Sequence, residues 1–470
     1  VGIEPIYETA ALSEKCKRSF RHFIQTVKPD YIFNWHHLEI IAACQELAER
    51  KTFTRLILMV PPRHGKSEIV SRLFPAWLFC RNTNEQIITA SYSDGLASQM
   101  NRDCQRIMSS TAYVTLFPKV ALTDKREAAT VQNSKRFDIG DGKGYYMSAG
   151  VGGGITGAGC TVGIIDDPVK NSEEADSQTY RDKAWEWYTT TFKTRFEPGC
   201  IEVICQTRWH EDDLTGRILA GIGSDGKTKI ISLPAISESP EPHRGVNEAL
   251  WPGKYDLPTL RNTEIELGSR AWTALFQQKP APADGGLIKK AWFGYYDLRK
   301  FEILDTDRVN FYFDTAYTDK EKNDPCAGIA YVKRGADYYI LECLEKWLDF
   351  TEQPKWVQDF TEDNGYTKKS IIRVEPKATG KSLVQVMRKQ TGLNIKEGIV
   401  PKESKTARVN SVSPVVEAGR VLLPYGAAWV PSFLDQCASF PNGAHDDRID
   451  CLTGMIINER QPPKFKRSAQ

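Results

Sequence analysis

No stretch of the sequence approaches the ~20 consecutive apolar residues that a membrane-crossing helix requires, and the N-terminal VGIEPIYETAALSEKCKR holds no secretory apolar core. A membrane partner is therefore not expected, and the expected site of action is cytoplasmic. The eleven cysteines are scattered without a single C-x-x-C pair, which argues against both a structural zinc and a disulfide framework. Cys80 and Cys205 read instead as buried small hydrophobes. An excess of one charge is missing too: 62 Lys+Arg against 60 Asp+Glu leave +2, a balance that neither requires nor excludes a nucleic-acid partner held along one groove. What the chain does have is length. With 470 residues it exceeds the size at which a single core usually stops growing, so two domains are expected.

The stretch that organises the front of the chain is RLILMVPPRHGKSEIVSRL, residues 55–73. Its apolar run fits a buried strand, Pro61 and Pro62 stop it, and the spacing of Ile69, Val70, Leu73 and Phe74 suits a helix. A strand, a tight turn and a helix start aim backbone N–H groups and the positive helix end at the loop Pro62-Arg63-His64-Gly65-Lys66-Ser67. Lys66 and Ser67 add an ammonium and a hydroxyl suited to a nucleoside triphosphate and its Mg²⁺. Val60 stands where the general phosphate-loop pattern asks for glycine, so an ordinary strand-to-helix turn remains the alternative. Upstream, Phe33, Trp35 and His36 either pack against an adenine ring or cover the sheet edge.

Two further strands run into polar tips. TVGIIDDPVK delivers Asp166 and Asp167, a pair placed to hold Mg²⁺ through water and to polarise an attacking water. CIEVICQTRWHEDDL ends in Thr207, Arg208 and His210; if the strands are parallel, this tip lies beside the other two. Arg208 and His210 there either sense phosphate or DNA or form salt-bridged loop structure. The glycine-rich stretch 134–160 reads as a mobile loop, a close backbone approach to a ligand, or a surface hairpin. Proline- and glycine-bearing text marks a domain change, with Trp272 to Gln278 as a connecting helix. The expected division is a helical lead-in over 1–50, a phosphate-binding core over 51–240, a connector over 241–300, a second domain over 301–458, and a basic tail over 459–470 expected to be disordered.

The second domain opens with RVNFYFDTAYT, carrying Asp314; two hairpin-linked strands meet at Arg334-Gly335-Ala336, and SIIRVEPKATG delivers Glu375. Near the end, GAHDDRIDCL brings Asp446, Asp447 and Asp450 to a helix start, where spacings of three and four share a face. Acids on strand, strand and helix suit two divalent ions that activate water and stabilise the leaving oxygen of a phosphodiester. Each acid alone also reads as a cap or first-turn charge. The layout of strands and terminal helix resembles a ribonuclease H-like nuclease. Lys369 with Arg373, Lys377 with Lys381, and Lys402, Lys405 and Arg408 are either phosphate contacts or a solvated face.

The order PPRHGKS, VGIIDDPVK, QTRWHEDDL, FDTAYT, VEP and GAHDDRIDCL resembles the large terminase subunits of tailed bacteriophages, over roughly residues 30–455. The resemblance implies an α/β chain: an N-terminal RecA-like (ASCE) P-loop ATPase followed by an RNase H-like nuclease. It implies ATP-driven movement of double-stranded viral DNA through the portal protein into a procapsid, and cutting of concatemeric DNA, in the cytoplasm of an infected bacterium. A small terminase subunit and a homo-oligomeric ring are the implied partners. By motif, Lys66 and Ser67 become phosphate and Mg²⁺ ligands, Arg63 the γ-phosphate arginine, Asp166 the holder of the Mg²⁺ water shell, and Thr207 the coupling residue. Asp167 stands where the family often has a catalytic Glu. Asp314, Glu375 and one of Asp446, Asp447 and Asp450 become ligands of Mg²⁺ or Mn²⁺, Asp447 being the first choice and His445 an assistant. The alternatives are an ATP-dependent nuclease or helicase of cellular DNA metabolism, and an assembly protein with an inactive nuclease domain.

Overall fold

The computed structural model describes residues 4–120, 122, 131–139, 143–155, 157–221, 226–280, 286–315, 325–399, 403–441 and 445–460. Two units, Val1–Ala281 and Pro282–Gln470, divide the chain, and each is built on its own seven-stranded sheet. Of the tail expected over 459–470, Glu459 and Arg460 end the last helix and the remainder lies outside the described residues, as does Lys402.

In the first unit the strands are Arg55–Met59 (β1), Gln86–Ser91 (β2), Arg136–Ile139 (β3), Gly144–Gly150 (β4), Cys160–Asp166 (β5), Phe196–Gln206 (β6) and Thr228–Ser232 (β7). Their spatial order is β3-β4-β2-β5-β6-β1-β7; β3 is antiparallel to β4 and all other neighbours are parallel. A parallel sheet is covered on both faces, so its strands are apolar throughout instead of alternating. β1 shows this: Leu56, Leu58 and Val60 enter one core, Ile57 and Met59 the opposite one. The topology also inserts β6 between β1 and β5. The end of β6 therefore lies between the turn that follows β1 and the paired aspartates, as parallel strands require.

Of the connector expected over 241–300, residues 241–280 fold with the first unit. The Leu257–Leu275 helix buries Leu260 and Trp272 against Ala235, Ile236 and Ala249. Gln277 exchanges two hydrogen bonds with the Ile236 backbone. Recurring proline and glycine suggested a linker, but these backbone turns are tied down by long-range side-chain bonds that no local pattern reveals.

The second unit contains Gly294–Tyr296 (β8), Val309–Asp314 (β9), Cys326–Arg334 (β10), Asp337–Lys346 (β11), Ile372–Val374 (β12), Ile395–Glu397 (β13) and Val421–Pro424 (β14), in the order β13-β12-β9-β10-β11-β14-β8. β9, β10 and β11 form an antiparallel meander, turning at Gly335 (φ 61°); the flanking strands pair in parallel. β9 alternates: Val309, Phe311 and Phe313 pack under the sheet with Phe360 and Met387. Tyr312 stands on the other face, against the Asp447–Arg460 helix.

That contact fixes the helix's height and position. A Cβ on Gly454 would lie 2.3 Å from the Tyr312 ring, so only glycine lets the helix come this close. From Gly454, Asp450 lies four residues back, about 6 Å along a helix; from Tyr312, Asp314 lies two residues on, about 6.8 Å along a strand. The two distances match, and the carboxylates meet. We expect Gly454→Val to lift Asp450 off Asp314, with a loss of stability of about 1–3 kcal/mol for overpacking. A thermal melt against the wild-type chain reads it.

Candidate functional site

In the first unit the turn after β1 carries left-handed backbone at Arg63 (φ 62°) and Gly65 (φ 90°). A Cβ on Gly65 would lie 2.6 Å from His37 Nε2, so conformation and space both demand glycine there. Val60 needs neither: its backbone is not left-handed and its side chain is buried in the core, which is the physical reason a glycine is dispensable at that place. Lys66, 4% exposed, donates to Thr207 Oγ1 at 2.6 Å and lies 3.1 Å from Asp167 Oδ2. The Thr207 N–H donates to Asp167 Oδ1 at 2.8 Å. The hydroxyls of Ser67 and Ser71 donate to the two oxygens of Asp166 at 3.0 and 2.6 Å.

Lys66, Ser67, Asp166, Asp167 and Thr207 thus converge from the ends of β1, β5 and β6. Burial, and then the charge of Asp167, push the Asp166 carboxyl up to about 6. Burial works against the Lys66 ammonium, but the acidic groups around it, Asp167 first among them, together outweigh it and hold Lys66 above its ordinary value. A cavity of about 1140 Å³ opens over this cluster, with Pro62, Arg63, Lys66, Ser67, Asp167 and Thr207 in its wall.

His64 does not join that wall. Its ring turns behind the loop, stacks on Tyr255 at 5.0 Å and is fully buried, because the left-handed residues on either side rotate it away from the cavity. His36 is likewise buried behind the loop, and Trp35 packs against His243. The aromatic residues that do line the cavity are Tyr31, Tyr92, Trp209 and Trp251. Of the two readings of the third strand's tip, the structure favours the salt bridge: Arg208 donates to Asp213 at 2.9 Å and to two loop carbonyls, buried throughout.

In the second unit Asp314 ends β9 and Glu375 follows β12, which pairs with β9; the Glu375 N–H donates to the Phe313 carbonyl at 2.8 Å. Asp450 projects from the first turn of the last helix. One oxygen from each of the three lies within 4.8 Å of the others, and all three residues are buried. Asp447, the first choice from sequence, is not in this group, and neither are Asp446 and His445. Seven helical residues carry Asp447 about 10.5 Å from Gly454, past the end of β9, while Asp446 pairs with Lys405 at 2.6 Å.

Basic side chains on the acids are what sequence reasoning missed. Arg408, itself buried, reaches Glu375 Oε1 at 3.2 Å and Asp450 Oδ1 at 3.1 Å. Lys377 lies 2.8 Å from Glu375 Oε2 and 3.3 Å from Asp314; Lys405 lies 2.9 Å from Asp450 Oδ2. Arg408 therefore holds one oxygen of Glu375 and one of Asp450, and the half-exposed Lys377 and Lys405 hold the other of each. Arg373 pairs with Glu459 instead. Burial, and then the Glu375 charge, push Asp314 well above the usual carboxylate range; burial raises Asp450 too. An all-oxygen donor set of this span fits a hard divalent cation.

Two family models match the chain: "Terminase large subunit, T4likevirus-type, N-terminal" over residues 57–250 and "Terminase RNaseH-like domain" over residues 311–459. Among solved structures, the large terminase from a thermophilic bacteriophage in complex with ATP-gamma-S is similar at 11% identity, covering 91% of this chain and 99% of that one, with a TM-score of 0.47. The HK97 bacteriophage large terminase is similar at 11% identity over 90% and 94% of the two chains, TM-score 0.34. The large terminase nuclease of thermophilic phage G20c with bound magnesium is similar at 15% identity over 37% and 96%, TM-score 0.28. Comparison with curated proteins gave no significant match. The two family models together span most of the chain, which belongs to the terminase large subunit family of phage DNA-packaging proteins.

Proposed function

We propose that this chain is an ATP-hydrolysing motor that moves double-stranded viral DNA through a portal into a procapsid, and that its second unit is a divalent-metal-dependent endonuclease that cuts the concatemer. The convergence of Lys66, Ser67, Asp166, Asp167 and Thr207 at three parallel strand ends is the observation that carries the motor half. Lys66 and the loop N–H groups bind the triphosphate, with Arg63 at the γ-phosphate. Ser67 and Asp166 hold the Mg²⁺ and its water shell, and Asp167 orients the attacking water. Thr207 touches both Lys66 and Asp167, so loss of the γ-phosphate charge is felt directly at the end of β6.

For the nuclease, Asp314, Glu375 and Asp450 would hold Mg²⁺ or Mn²⁺, which supplies a polarised water and stabilises the leaving oxygen. Arg408 keeps Glu375 and Asp450 oriented from behind, and Lys377 and Lys405 stand at the mouth where a DNA phosphate would arrive. Small terminase subunit, portal protein and a homo-oligomeric ring are the partners this reading entails, in the cytoplasm of an infected bacterium.

A pH dependence follows from the raised Asp314 and Asp450 carboxyls. A proton competes for these oxygens at higher pH than for an ordinary acid, so metal binding releases protons and its apparent affinity falls as pH falls. Calorimetry with Mn²⁺ over a series of pH values should show the affinity falling as pH is lowered; an affinity that does not fall would contradict the assignment. The motor reading is tested by DNA-stimulated ATP turnover and by ATP-dependent protection of DNA inside purified procapsids. Turnover without protection would remove packaging from the proposal.

A further inference from the structure

Three consecutive carbonyls of the phosphate loop are each held by a side-chain donor. His64 Nδ1 lies 2.8 Å from the Pro62 carbonyl. Lys254 Nζ donates to the Arg63 carbonyl at 2.8 Å. The His64 carbonyl meets two imidazoles, His36 Nε2 at 3.1 Å and His37 Nε2 at 3.2 Å. The tautomers of the last two follow from their other nitrogens. The Asn34 backbone N–H donates to His37 Nδ1 at 3.1 Å, and the Asn34 side-chain amide nitrogen lies 2.9 Å from His36 Nδ1. Both Nδ1 atoms therefore accept, and both Nε2 atoms carry the proton that goes to His64.

We propose that His36 and His37, assisted by Lys254, are positioning residues of the nucleotide site that act by anchoring the carbonyl side of the phosphate loop. The C=O and N–H of a planar trans peptide point in opposite directions. Fixing the carbonyls of residues 62–64 behind the loop therefore fixes the N–H groups of residues 63–65 on the opposite side. An anion cradle made of backbone amides needs its carbonyls turned away and satisfied, since a buried unpaired carbonyl is costly. His36 and His37 supply those donors from the Trp35–Ala48 helix, outside the loop itself. Both rings are fully buried, and burial, together with neighbouring cationic groups, keeps them neutral down to about pH 4. Trp251 packs edge-on against His37 at 4.6 Å.

The inference rests on the ATP-binding reading, and the test separates the two. Affinity for a fluorescent ATP analogue with Mg²⁺ and steady-state ATPase are measured on the full chain carrying His36→Leu, His37→Leu, His37→Gln, Lys254→Met or Lys66→Ala. A leucine at either histidine removes the donor and keeps apolar bulk; KM for ATP is expected to rise about tenfold, with kcat changed much less because neither ring touches the reacting atoms. Glutamine, whose amide nitrogen reaches close to the imidazole Nε2 position, should recover affinity to within about threefold. Lys254 is exposed, so Lys254→Met does not threaten folding, and it should weaken binding about threefold. The proposal is overturned if the folded leucine variants bind as the wild type does, or if glutamine is as weak as leucine. Should the leucine variants not fold, unchanged affinity in Lys254→Met overturns it. If Lys66→Ala itself binds nucleotide normally, the ATP reading has failed instead.

Discussion

Lys66→Ala is expected to reduce ATP turnover by about 10²–10³-fold while leaving DNA cleavage by the second unit intact. The ammonium sits in a slot between Thr207 and Asp167 and is almost without solvent. In such a site a fixed charge aimed at developing phosphate charge is worth several kcal/mol, and each 1.36 kcal/mol is a factor of about ten. Lys66→Arg should not rescue it, because a planar guanidinium does not replace a compact ammonium in a buried slot. Loss of Lys66 also leaves Asp166 and Asp167 facing each other without their cation, so a lower melting temperature is expected alongside the lost activity. Turnover above about a tenth of the wild-type rate would show that the loop is an ordinary strand-to-helix turn.

Asp314→Asn is expected to abolish Mg²⁺- and Mn²⁺-dependent cleavage, by about 10²–10³-fold, without lowering stability. The activity loss follows from removing one ligand of an ion that supplies several kcal/mol to the transition state. The stability expectation follows from the sign of the carboxyl's shift. Its folded-state pKa lies above the unfolded value, so the folded chain binds this proton more tightly, and ionisation at neutral pH weighs against folding. Asparagine removes that charge and keeps the shape, and Lys377 retains Glu375 as its partner. A melting temperature equal to or above the wild type, measured at about pH 7 to 8, fits a functional acid kept at a cost to stability. Asp447→Asn, outside the group of three, should cut far less activity than either Asp314→Asn or Asp450→Asn. The reverse ranking would return the assignment to Asp447.

Much of the first unit was legible because its evidence is local. The uninterrupted apolar run Leu56 to Val60 marks a strand covered on both faces, and Asp166 and Asp167 mark where β5 ends. The position of β6 between them follows from parallel pairing. That Asp314 and Glu375 stand at strand ends was legible for the same reason, each following alternating or apolar text. The choice among Asp446, Asp447 and Asp450 was not, since all three share a helix start and differ only in axial position. That position is set by Gly454 against Tyr312, two residues 142 apart in sequence, a contact no periodicity encodes. The direction of the His64 ring was not legible, because a loop motif does not say which way each side chain turns; left-handed backbone at Arg63 and Gly65 decides it. Lys377, Lys405 and Arg408 looked like solvated face or phosphate contacts until folding set them on the acids. Short strands such as Ile395–Glu397 and Gly294–Tyr296, three residues each, carry too little pattern to be read from sequence.

Anomalous diffraction from crystals grown with Mn²⁺ and a slowly hydrolysed ATP analogue examines both pockets at once. Manganese is expected about 2.1 Å from carboxylate oxygens of Asp314, Glu375 and Asp450, with the analogue's phosphates against Lys66 and Ser67. Manganese held by Asp446 or Asp447 instead, or phosphates away from Lys66, would contradict the two-site reading of this chain.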